Sequence, residues 1–172
     1  QQENHAAMRR YVRGAAAAGC DLVVLPEMWC CPYDNAAFAD YAEPQGGRTW
    51  RLLRDTARES GVWLAAGSVP ERDGDAIYNT CYVFDPNGTQ RAKHRKVHLF
   101  DIDVAGGQRF FESDTLTPGQ HYTLFDTPFG KVGAAICFDV RFAELFRILA
   151  LEGARLIVVP AAFNMTTGPA HW

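Results

Sequence analysis

Residues 131–141 read KVGAAICFDVR, an apolar run that ends at Cys137. Small and branched apolar residues over 132–136 are typical of a strand that is buried on both faces of a sheet. Four apolar residues then recur at helical spacing on one face: Phe142, Leu145, Phe146 and Leu149. Gly153 predicts the end of that helix, and the apolar run 156–159 predicts the next strand. A strand, a helix and a strand in this order predict an α/β fold with helices packed on a sheet.

The part of the chain before this stretch follows the same pattern. Amphipathic spacing predicts helices over about residues 3–18 and 47–60. Short apolar runs predict buried strands over 22–25 and 62–69. Two hairpins are also predicted, each with a turn sequence between its strands: 77–84 with 89–97, and 122–125 with 131–136. The chain is therefore expected to form one α/β domain.

Composition and charge limit the classes of partner. Of the 172 residues, 48% are hydrophobic and 22% are charged, which is ordinary for a globular domain and excludes intrinsic disorder. A formal net charge of −3 gives no basis for binding nucleic acid or an anionic membrane. The longest apolar runs are far shorter than the roughly 18 to 20 residues of a membrane-spanning helix. A small solute is therefore the expected partner.

The cysteines and the two termini carry further expectations. The five cysteines are odd in number and include no CxxC pair, which argues against a disulfide framework or a structural zinc site and favours a reducing cytoplasm. The N-terminus has no basic leader followed by an apolar core, so no secretory signal is expected. The chain begins with a helix that no strand precedes and stops in a turn, so we expect a domain that is cut at both ends.

Cys137 is the first candidate for chemistry. It lies between a predicted strand and a predicted helix, where the N–H groups of a helix start lower a thiol pKa and offer an oxyanion site. The alternative is a buried structural cysteine, since cysteine is among the most buried residue types. Asp139 and Arg141 favour chemistry, because a charged turn is an unusual neighbour for a cysteine that only fills a core.

Three further charged residues are candidates for the same site. Glu27 follows the predicted strand 22–25, at the end where ligands of open α/β sheets bind, and is either a general base or an exposed loop acid. Lys96 ends a predicted strand within the basic run 91–98, and it belongs either to a solvated sheet edge or to the site. Glu112 is either a second acid–base group or a helix cap. A cysteine with no histidine near it in sequence finds its base among such residues or in a distant histidine.

His94 and His98 suggest a metal site by their spacing of four. That spacing suits two ligands on a helix, whereas this segment is predicted to be a strand and has no acidic residue between the histidines. The basic run also lacks the interleaved aromatic residues of a nucleic-acid platform. We therefore expect neither a metal nor a nucleic acid here.

Three motifs decide between these alternatives by resemblance to a known family. VLPEM at 24–28, HRKVHL at 94–99 and AICFDVRF at 135–142 together resemble the nitrilase superfamily, the carbon–nitrogen hydrolases with a Glu–Lys–Cys triad. The resemblance implies a nitrilase-like αββα sandwich, truncated here at both ends, with residues 1–172 as a partial carbon–nitrogen hydrolase domain. Four finer matches resemble the omega-amidase branch: KVHLFDID at 96–103, FES at 111–113, RFAEL at 141–145 and AFNMTTGPAHW at 162–172.

The resemblance implies a role for each residue of the triad and for two neighbours. Glu27 would be the general base that takes the proton of Cys137, and the thiolate would attack an amide carbonyl. Lys96 and the backbone N–H of Phe138 would hold the oxyanion, and Glu112 would orient Lys96. Loss of ammonia would leave a thioester for water to hydrolyse. No cofactor and no metal are implied.

The omega-amidase branch also implies a substrate. Its members act on small dicarboxylate monoamides such as 2-oxoglutaramate and succinamate, and Arg141 matches the position that binds the far carboxylate. An ion pair of Arg141 with Glu144 or Asp139 is the alternative. Three other residues match pocket positions of the family: Tyr33, Phe163 and Thr167.

Two other functions stay open. Deaminated-glutathione amidases share the triad motifs and the turn GPAHW at 168–172, although FDID at 100–103 and FNM at 163–165 favour the omega-amidase branch. From a different class, the chain is a non-catalytic oligomerisation or interaction fragment. Nitriles and N-carbamoyl amines are less favoured substrates, because those branches carry other residues around the nucleophile. For the full-length form, the resemblance implies a small-molecule amide substrate and a homodimer or higher homo-oligomer.

Overall fold

Helices and strands alternate along the chain in a computed structural model, which describes the backbone of residues 1–165 and 168–171 and the side chains of residues 1–165, 168 and 169. The helices are α1 (Gln2–Ala17), α2 (Asn35–Tyr41), α3 (Arg48–Ser60), α4 (Ala143–Leu151) and α5 (Gly168–His171). The strands are β1 (Leu22–Val24), β2 (Trp63–Ala65), β3 (Val69–Asp73), β4 (Ala76–Phe84), β5 (Gln90–Arg95), β6 (Asp101–Asp103), β7 (Arg109–Phe111), β8 (Thr123–Thr127), β9 (Gly130–Ala134) and β10 (Leu156–Val158). No helix among the described residues is long and apolar enough to span a membrane.

Two sheets carry the fold. In the first, the strands run in the order β1, β2, β4, β3, and β5 also pairs with β4. β1 and β2 are parallel, while the other pairs of this sheet are antiparallel. In the second sheet, β9 lies between β8 and β10, antiparallel to β8 and parallel to β10. β6 and β7 form a separate antiparallel hairpin.

The layers are held together by three buried apolar clusters. α1 and α3 cover the first sheet through a cluster that includes Met8, Val12, Leu53, Leu64 and Phe84. The two sheets meet through a cluster that includes Trp63, Val83, Val132, Ala134 and Val158. α4 covers the second sheet through Ala135, Leu145 and Leu149. The order helix, sheet, sheet, helix confirms the αββα sandwich that the family resemblance implies.

Most predicted elements are confirmed, with small changes at their ends. α1 and α3 match the two helices predicted before residue 61, and Gly61 ends α3 in the left-handed region with φ +66°. Both hairpins are present, as β4 with β5 and β8 with β9. α2 and the β6–β7 hairpin are not among the predicted elements, because each is too short to show a clear period.

Two predicted elements are wrong. The strand predicted over 62–69 is two strands, β2 and β3, because the chain turns at Gly67 with φ +64°. The helix predicted after Cys137 begins only at Ala143, since a 3-10 turn occupies Cys137–Arg141. Cys137 has φ +44°, which an α-helix does not accommodate. In both places a residue with φ in the left-handed region interrupts the predicted strand or helix.

Gly67 is required by a close backbone contact. A Cβ at this position would lie 2.1 Å from the backbone oxygen of Pro26. We expect Gly67→Ala to lower the free energy of unfolding by about 3 kcal/mol or more, because left-handed strain and the clash add. Gly61→Ala is the matched control, since Gly61 has the same φ region but open space around its Cβ position; its expected cost is about 1 to 2 kcal/mol. Urea unfolding followed by circular dichroism measures both, and equal losses would contradict the role of the Pro26 contact.

Candidate active site

Glu27, Lys96 and Cys137 come together where three strands end. Glu27 lies three residues beyond β1, Lys96 directly follows β5, and Cys137 lies three residues beyond β9. β1 and β5 belong to one sheet and β9 to the other. The site therefore lies at one end of the interface between the two sheets.

Glu27 is a buried carboxylate surrounded by donors. Its Oε1 accepts hydrogen bonds from Nζ of Lys96 at 2.9 Å and from Nδ2 of Asn79 at 2.8 Å. The Tyr33 hydroxyl lies 3.2 Å from the same oxygen. Oε2 accepts the backbone N–H of Ala162 at 3.2 Å. Only 3% of Glu27 is exposed, so these donors replace the water that would otherwise stabilise its charge, and the exposed loop acid is excluded.

Lys96 is an ammonium group held between two carboxylates. Its side chain has no exposed surface, and Nζ lies 2.9 Å from Oε1 of Glu27 and 2.9 Å from Oε2 of Glu112. Burial by itself would lower the pKa of Lys96, but the two carboxylates outweigh burial and raise the pKa. Lys96 therefore stays a cation and a hydrogen-bond donor at physiological pH.

Lys93 and Arg95 of the basic run lie apart from the site. Lys93 and Arg95 both contact the buried carboxylate of Glu71, each at 2.9 Å. Lys96 contacts Glu27 and Glu112 instead. Successive side chains of a strand point to opposite faces, so Lys96 lies on the other face from Lys93 and Arg95, as the sequence predicts. Lys96 is therefore not part of a solvated sheet edge.

Glu112 is the second buried carboxylate of the site. Its Oε1 accepts the Tyr33 hydroxyl at 2.5 Å, and its Oε2 accepts the backbone N–H of Phe100 at 2.7 Å. Burial raises the pKa of Glu112, Lys96 lowers it and Glu27 raises it again, with a net rise. Glu112 begins a 3-10 turn, but its carboxylate is directed to Lys96 and Tyr33. This geometry fits the orienting role implied for Glu112 and not a helix cap.

Cys137 occupies a strained backbone position. Its φ of +44° lies in the left-handed region, which residues other than glycine seldom adopt and which recurs at active sites. Its backbone N–H donates to the oxygen of Pro160 at 2.8 Å, which fixes the turn on the loop after β10. Burial, the charges of Glu27 and Lys96 and the backbone of Ala162 all act on its thiol. The strained turn thus places the sulfur against the buried carboxylate.

The thiol of Cys137 is not acidified by its surroundings. Burial and the charge of Glu27 raise its pKa to about 12, and Lys96 opposes them only in part. The lowered pKa expected from a helix start is therefore wrong, because a 3-10 turn begins here and a carboxylate faces the sulfur. A thiol with so high a pKa needs a base to become a nucleophile, and the buried carboxylate of Glu27, whose charge acts on the thiol, is the candidate.

Asp139 ties the Cys137 turn to the segment that follows β5. It is fully buried and accepts the backbone N–H groups of Ile136 at 2.8 Å and of His98 at 2.9 Å. Ring nitrogens of His98 and His94 lie 2.7 and 3.4 Å from its two oxygens. Burial by itself would raise the pKa of Asp139, but its hydrogen bonds, first that with His94, outweigh burial and lower the pKa.

In the part of the chain that the structure describes, no group of three or more His, Cys, Asp or Glu side chains is placed to hold a metal ion.

A cavity of about 240 Å³ opens beside Cys137. Its walls are mostly aromatic, from Tyr33, Phe100, Phe110, Phe138 and Phe163. Gln108 and Asn164 add polar groups, and Nδ2 of Asn164 donates to Oε1 of Gln108 at 3.2 Å. Such a space accommodates a small molecule with an apolar middle and polar ends.

The remaining predicted residues differ in their relation to this cavity. Tyr33 and Phe163 line it, and so does Phe138. Arg141 is exposed at the end of the 3-10 turn and is not among the described residues that line the cavity. Thr167 lies outside the described residues.

Asn79 is a residue of this site that the sequence reasoning misses. It is fully buried inside β4, and its side chain reaches Glu27. The sequence does carry a signal for this residue, because asparagine is disfavoured in strands. An asparagine in a buried strand needs a hydrogen-bond partner for its side chain. The partner itself lies 52 residues away in sequence, so only the fold identifies it.

Comparisons with known proteins place the chain among characterised sequences. The model of the carbon–nitrogen hydrolase family matches residues 1–172. The chain is 53% identical over 161 residues to omega-amidase NIT2 of Danio rerio, and the matched region covers 94% of the chain and 58% of that protein. It is 51% identical over 162 residues to omega-amidase NIT2 of Homo sapiens, and here the matched region covers 94% of the chain and 59% of that protein. The chain thus spans just under three fifths of the length of these curated relatives.

Two solved structures resemble the fold closely. Saccharomyces cerevisiae Nit3, a member of branch 10 of the nitrilase superfamily, superposes with a TM-score of 0.88 at 37% identity, over 99% of this chain and 62% of that chain. A mutant of the amidase from Nesterenkonia sp. AN1, with acrylamide added at its active-site cysteine, superposes with a TM-score of 0.83 at 25% identity, over 98% of this chain and 65% of that chain. Both likenesses extend over nearly the whole of this chain.

Proposed function

Because this chain belongs to the carbon–nitrogen hydrolase family, we propose that its protein hydrolyses the amide of small dicarboxylate monoamides to the acid and ammonia, the omega-amidase reaction. The observation that carries the proposal is the buried ion pair of Glu27 with Lys96, whose two charges act on the thiol of Cys137 beside a small cavity. Two curated relatives at 51 and 53% identity are named omega-amidases, which supports this branch of the family.

The first half of the reaction uses the raised pKa of the thiol. Glu27 accepts the proton of Cys137 as the sulfur forms a bond to the amide carbon, so a free thiolate does not have to persist in a buried site. The carbonyl oxygen then takes the negative charge. Nζ of Lys96 and the backbone N–H of Phe138 hold that oxyanion, and Glu112 keeps Lys96 in place.

The second half returns the site to its starting state. The protonated Glu27 gives its proton to the leaving nitrogen, the carbon–nitrogen bond breaks, and ammonia departs from a thioester on Cys137. Glu27, again a carboxylate, takes a proton from water as the water oxygen attacks the thioester carbon. The carbon–sulfur bond breaks, the thiol regains its proton, and the carboxylic acid leaves.

Substrate selection is proposed to depend on Arg141. Its guanidinium carries the charge and the planar fork that bind a carboxylate, and it lies at the end of the turn that Cys137 begins. The aromatic walls from Tyr33 and Phe163 cover the methylene groups of the substrate. A role for Thr167 rests on the resemblance to the family.

Ammonia release from matched amides tests this function. The assay uses the chain and a form extended to the length of its curated relatives, with succinamate, 2-oxoglutaramate and butyramide, which has a methyl group in place of the carboxylate of succinamate. We expect the extended form to prefer succinamate over butyramide by about 100-fold in kcat/KM, since the apolar analogue offers the guanidinium no carboxylate. Arg141→Ala is expected to remove most of that preference and leave butyramide turnover within about threefold.

Other outcomes of this assay would overturn the proposal. If the extended form is folded and its Cys137 is alkylated by iodoacetamide, but neither dicarboxylate monoamide releases ammonia, the omega-amidase function is wrong. Release from deaminated glutathione instead would assign the sister amidase function. No release from any amide would leave the interaction fragment as the function.

The assembly and the compartment are proposals as well. We propose a homodimer or higher homo-oligomer, supported by the exposed apolar side chains Ile148 and Leu151 on α4. We also propose a cytoplasmic location, supported by the odd number of cysteines without a CxxC pair. Sedimentation of the extended form and fractionation of its source cell test the two, and a monomer or a secreted protein would contradict them.

A further inference from the structure

Asn79 contacts both charged partners of the thiol from inside β4. Its Nδ2 donates to Oε1 of Glu27 at 2.8 Å, and its backbone oxygen accepts the backbone N–H of Lys96 at 2.8 Å. The residue has no exposed surface. One residue of the central strand thus fixes both the carboxylate and the start of the segment that carries the ammonium group.

The two oxygens of Glu27 have different surroundings. Oε1 faces Nζ of Lys96 at 2.9 Å, Nδ2 of Asn79 at 2.8 Å and the Tyr33 hydroxyl at 3.2 Å, so its lone pairs are already taken up by donors. Oε2 accepts the more distant N–H of Ala162 at 3.2 Å, so a lone pair is left for the thiol proton of Cys137. The donors on Oε1 therefore select which oxygen acts as the base.

The orientation of the Asn79 amide is fixed by charge. With the amide reversed, its oxygen would face the carboxylate of Glu27, and two acceptors would repel each other. In the observed orientation Oδ1 of Asn79 is buried and has no hydrogen-bond partner among the residues that the structure describes. Such an orphaned atom is costly, and its presence indicates that the contact of Nδ2 with Glu27 is retained for the site.

We propose that Asn79 is a positioning residue that directs Oε2 of Glu27 at the thiol of Cys137. This inference rests on the proposed function, because it assigns Glu27 the role of base. A donor that binds the charged form of a carboxylate makes it harder to protonate. Loss of the Asn79 donor is therefore expected to move the acid limb of the reaction to higher pH.

The test compares Asn79→Leu with Thr80→Val in the extended form. Thr80 is the next residue of β4, is equally buried, and donates to the carboxylate of Glu71 at 2.7 Å outside the site. Both variants remove one donor to a buried glutamate and are expected to unfold at similarly lower urea concentrations. Titratable groups facing Glu27 from other segments are Tyr33, Lys96, Glu112 and Cys137, and both variants leave them unchanged.

Two readouts across pH 5 to 9 decide the matter. For Asn79→Leu we expect kcat on succinamate to fall about 30-fold or more with KM within about threefold, and the acid limb to rise by about one pH unit. The rate at which iodoacetamide alkylates Cys137 is followed by peptide mass spectrometry, and the acid limb of its pH profile is expected to rise by the same amount. For Thr80→Val both profiles are expected to match the unsubstituted protein.

The alkylation readout keeps this inference separate from the proposed function. If no amide is hydrolysed but Asn79→Leu still shifts the alkylation profile of Cys137, the positioning role stands and the proposed substrate class fails. If the profile of Asn79→Leu superposes on that of the unsubstituted protein, or Thr80→Val shifts it equally, the positioning role is overturned. A fall in stability without a shift in either profile would overturn it as well.

Discussion

Replacing Cys137 with alanine is expected to lower ammonia release from succinamate by about 10⁴-fold or more in the extended form, because no other group can form the thioester. Cys81→Ala is the matched control. Cys81 belongs to the same cluster between the sheets, and burial raises the pKa of its thiol to about 12, as burial and Glu27 do for Cys137. We expect Cys81→Ala to cost about 1 kcal/mol of unfolding free energy and to keep its activity.

The pair separates chemistry from packing. A structural role alone would make both cysteine substitutions reduce stability and would leave activity in proportion to the folded fraction. Full activity of a folded Cys137→Ala variant would therefore contradict the assignment of the nucleophile. Loss of activity in Cys81→Ala without unfolding would show that the interface between the sheets, and not the thiol itself, controls turnover.

Lys96→Met is expected to have the second largest effect. The substitution leaves Glu27 and Glu112 buried side by side without their cation, so we expect a loss of about 3 to 5 kcal/mol in unfolding free energy. One of the two carboxyls must then take up a proton on folding, so the deficit is expected to grow as the pH rises from 5 to 8. In the fraction that folds, kcat is expected to fall by about 10³-fold, since the oxyanion loses its charged donor.

Lys93→Met is the control for the removal of a lysine, since Lys93 lies in β5, three residues before Lys96. Lys93 contacts the buried Glu71, but Arg95 keeps that carboxylate paired after the substitution. We expect Lys93→Met to cost about 1 kcal/mol and to leave kcat unchanged. Chemical unfolding at pH 5, 6.5 and 8 together with the amide assay measures both variants, and a Lys96→Met variant as stable and active as Lys93→Met would refute the proposed role of the ammonium group.

The features that the sequence locates are those with a local signal. Glu27 and Cys137 each lie three residues beyond a strand and Lys96 directly follows one, and the carboxyl end of a strand is where such a side chain meets a ligand. The helices α1 and α3 are long enough for their apolar residues to show the helical period. Gly61 ends α3 in the left-handed conformation, which glycine adopts readily. These features depend on neighbours in sequence.

The features that the sequence misses depend on distant parts of the chain. The break at Gly67 is set by the backbone of Pro26, 41 residues earlier, although the run around it is as apolar as a continuous strand. The pKa of the Cys137 thiol is raised by burial between the sheets and by the charge of Glu27, which lies far from Cys137 in sequence. The role of Asn79 likewise follows from the pairing of strands and not from its own segment. Composition and periodicity do not contain these contacts.

The central claim is that Cys137 carries the acyl group during turnover. The measurement that tests it most directly is mass spectrometry of the extended form, mixed with succinamate and quenched with acid during turnover. We predict one succinyl group per chain, located on the peptide that contains Cys137 and removed by hydroxylamine, as a thioester requires. A succinyl group on a different residue, or ammonia release that continues after Cys137 has been fully alkylated, would contradict the account.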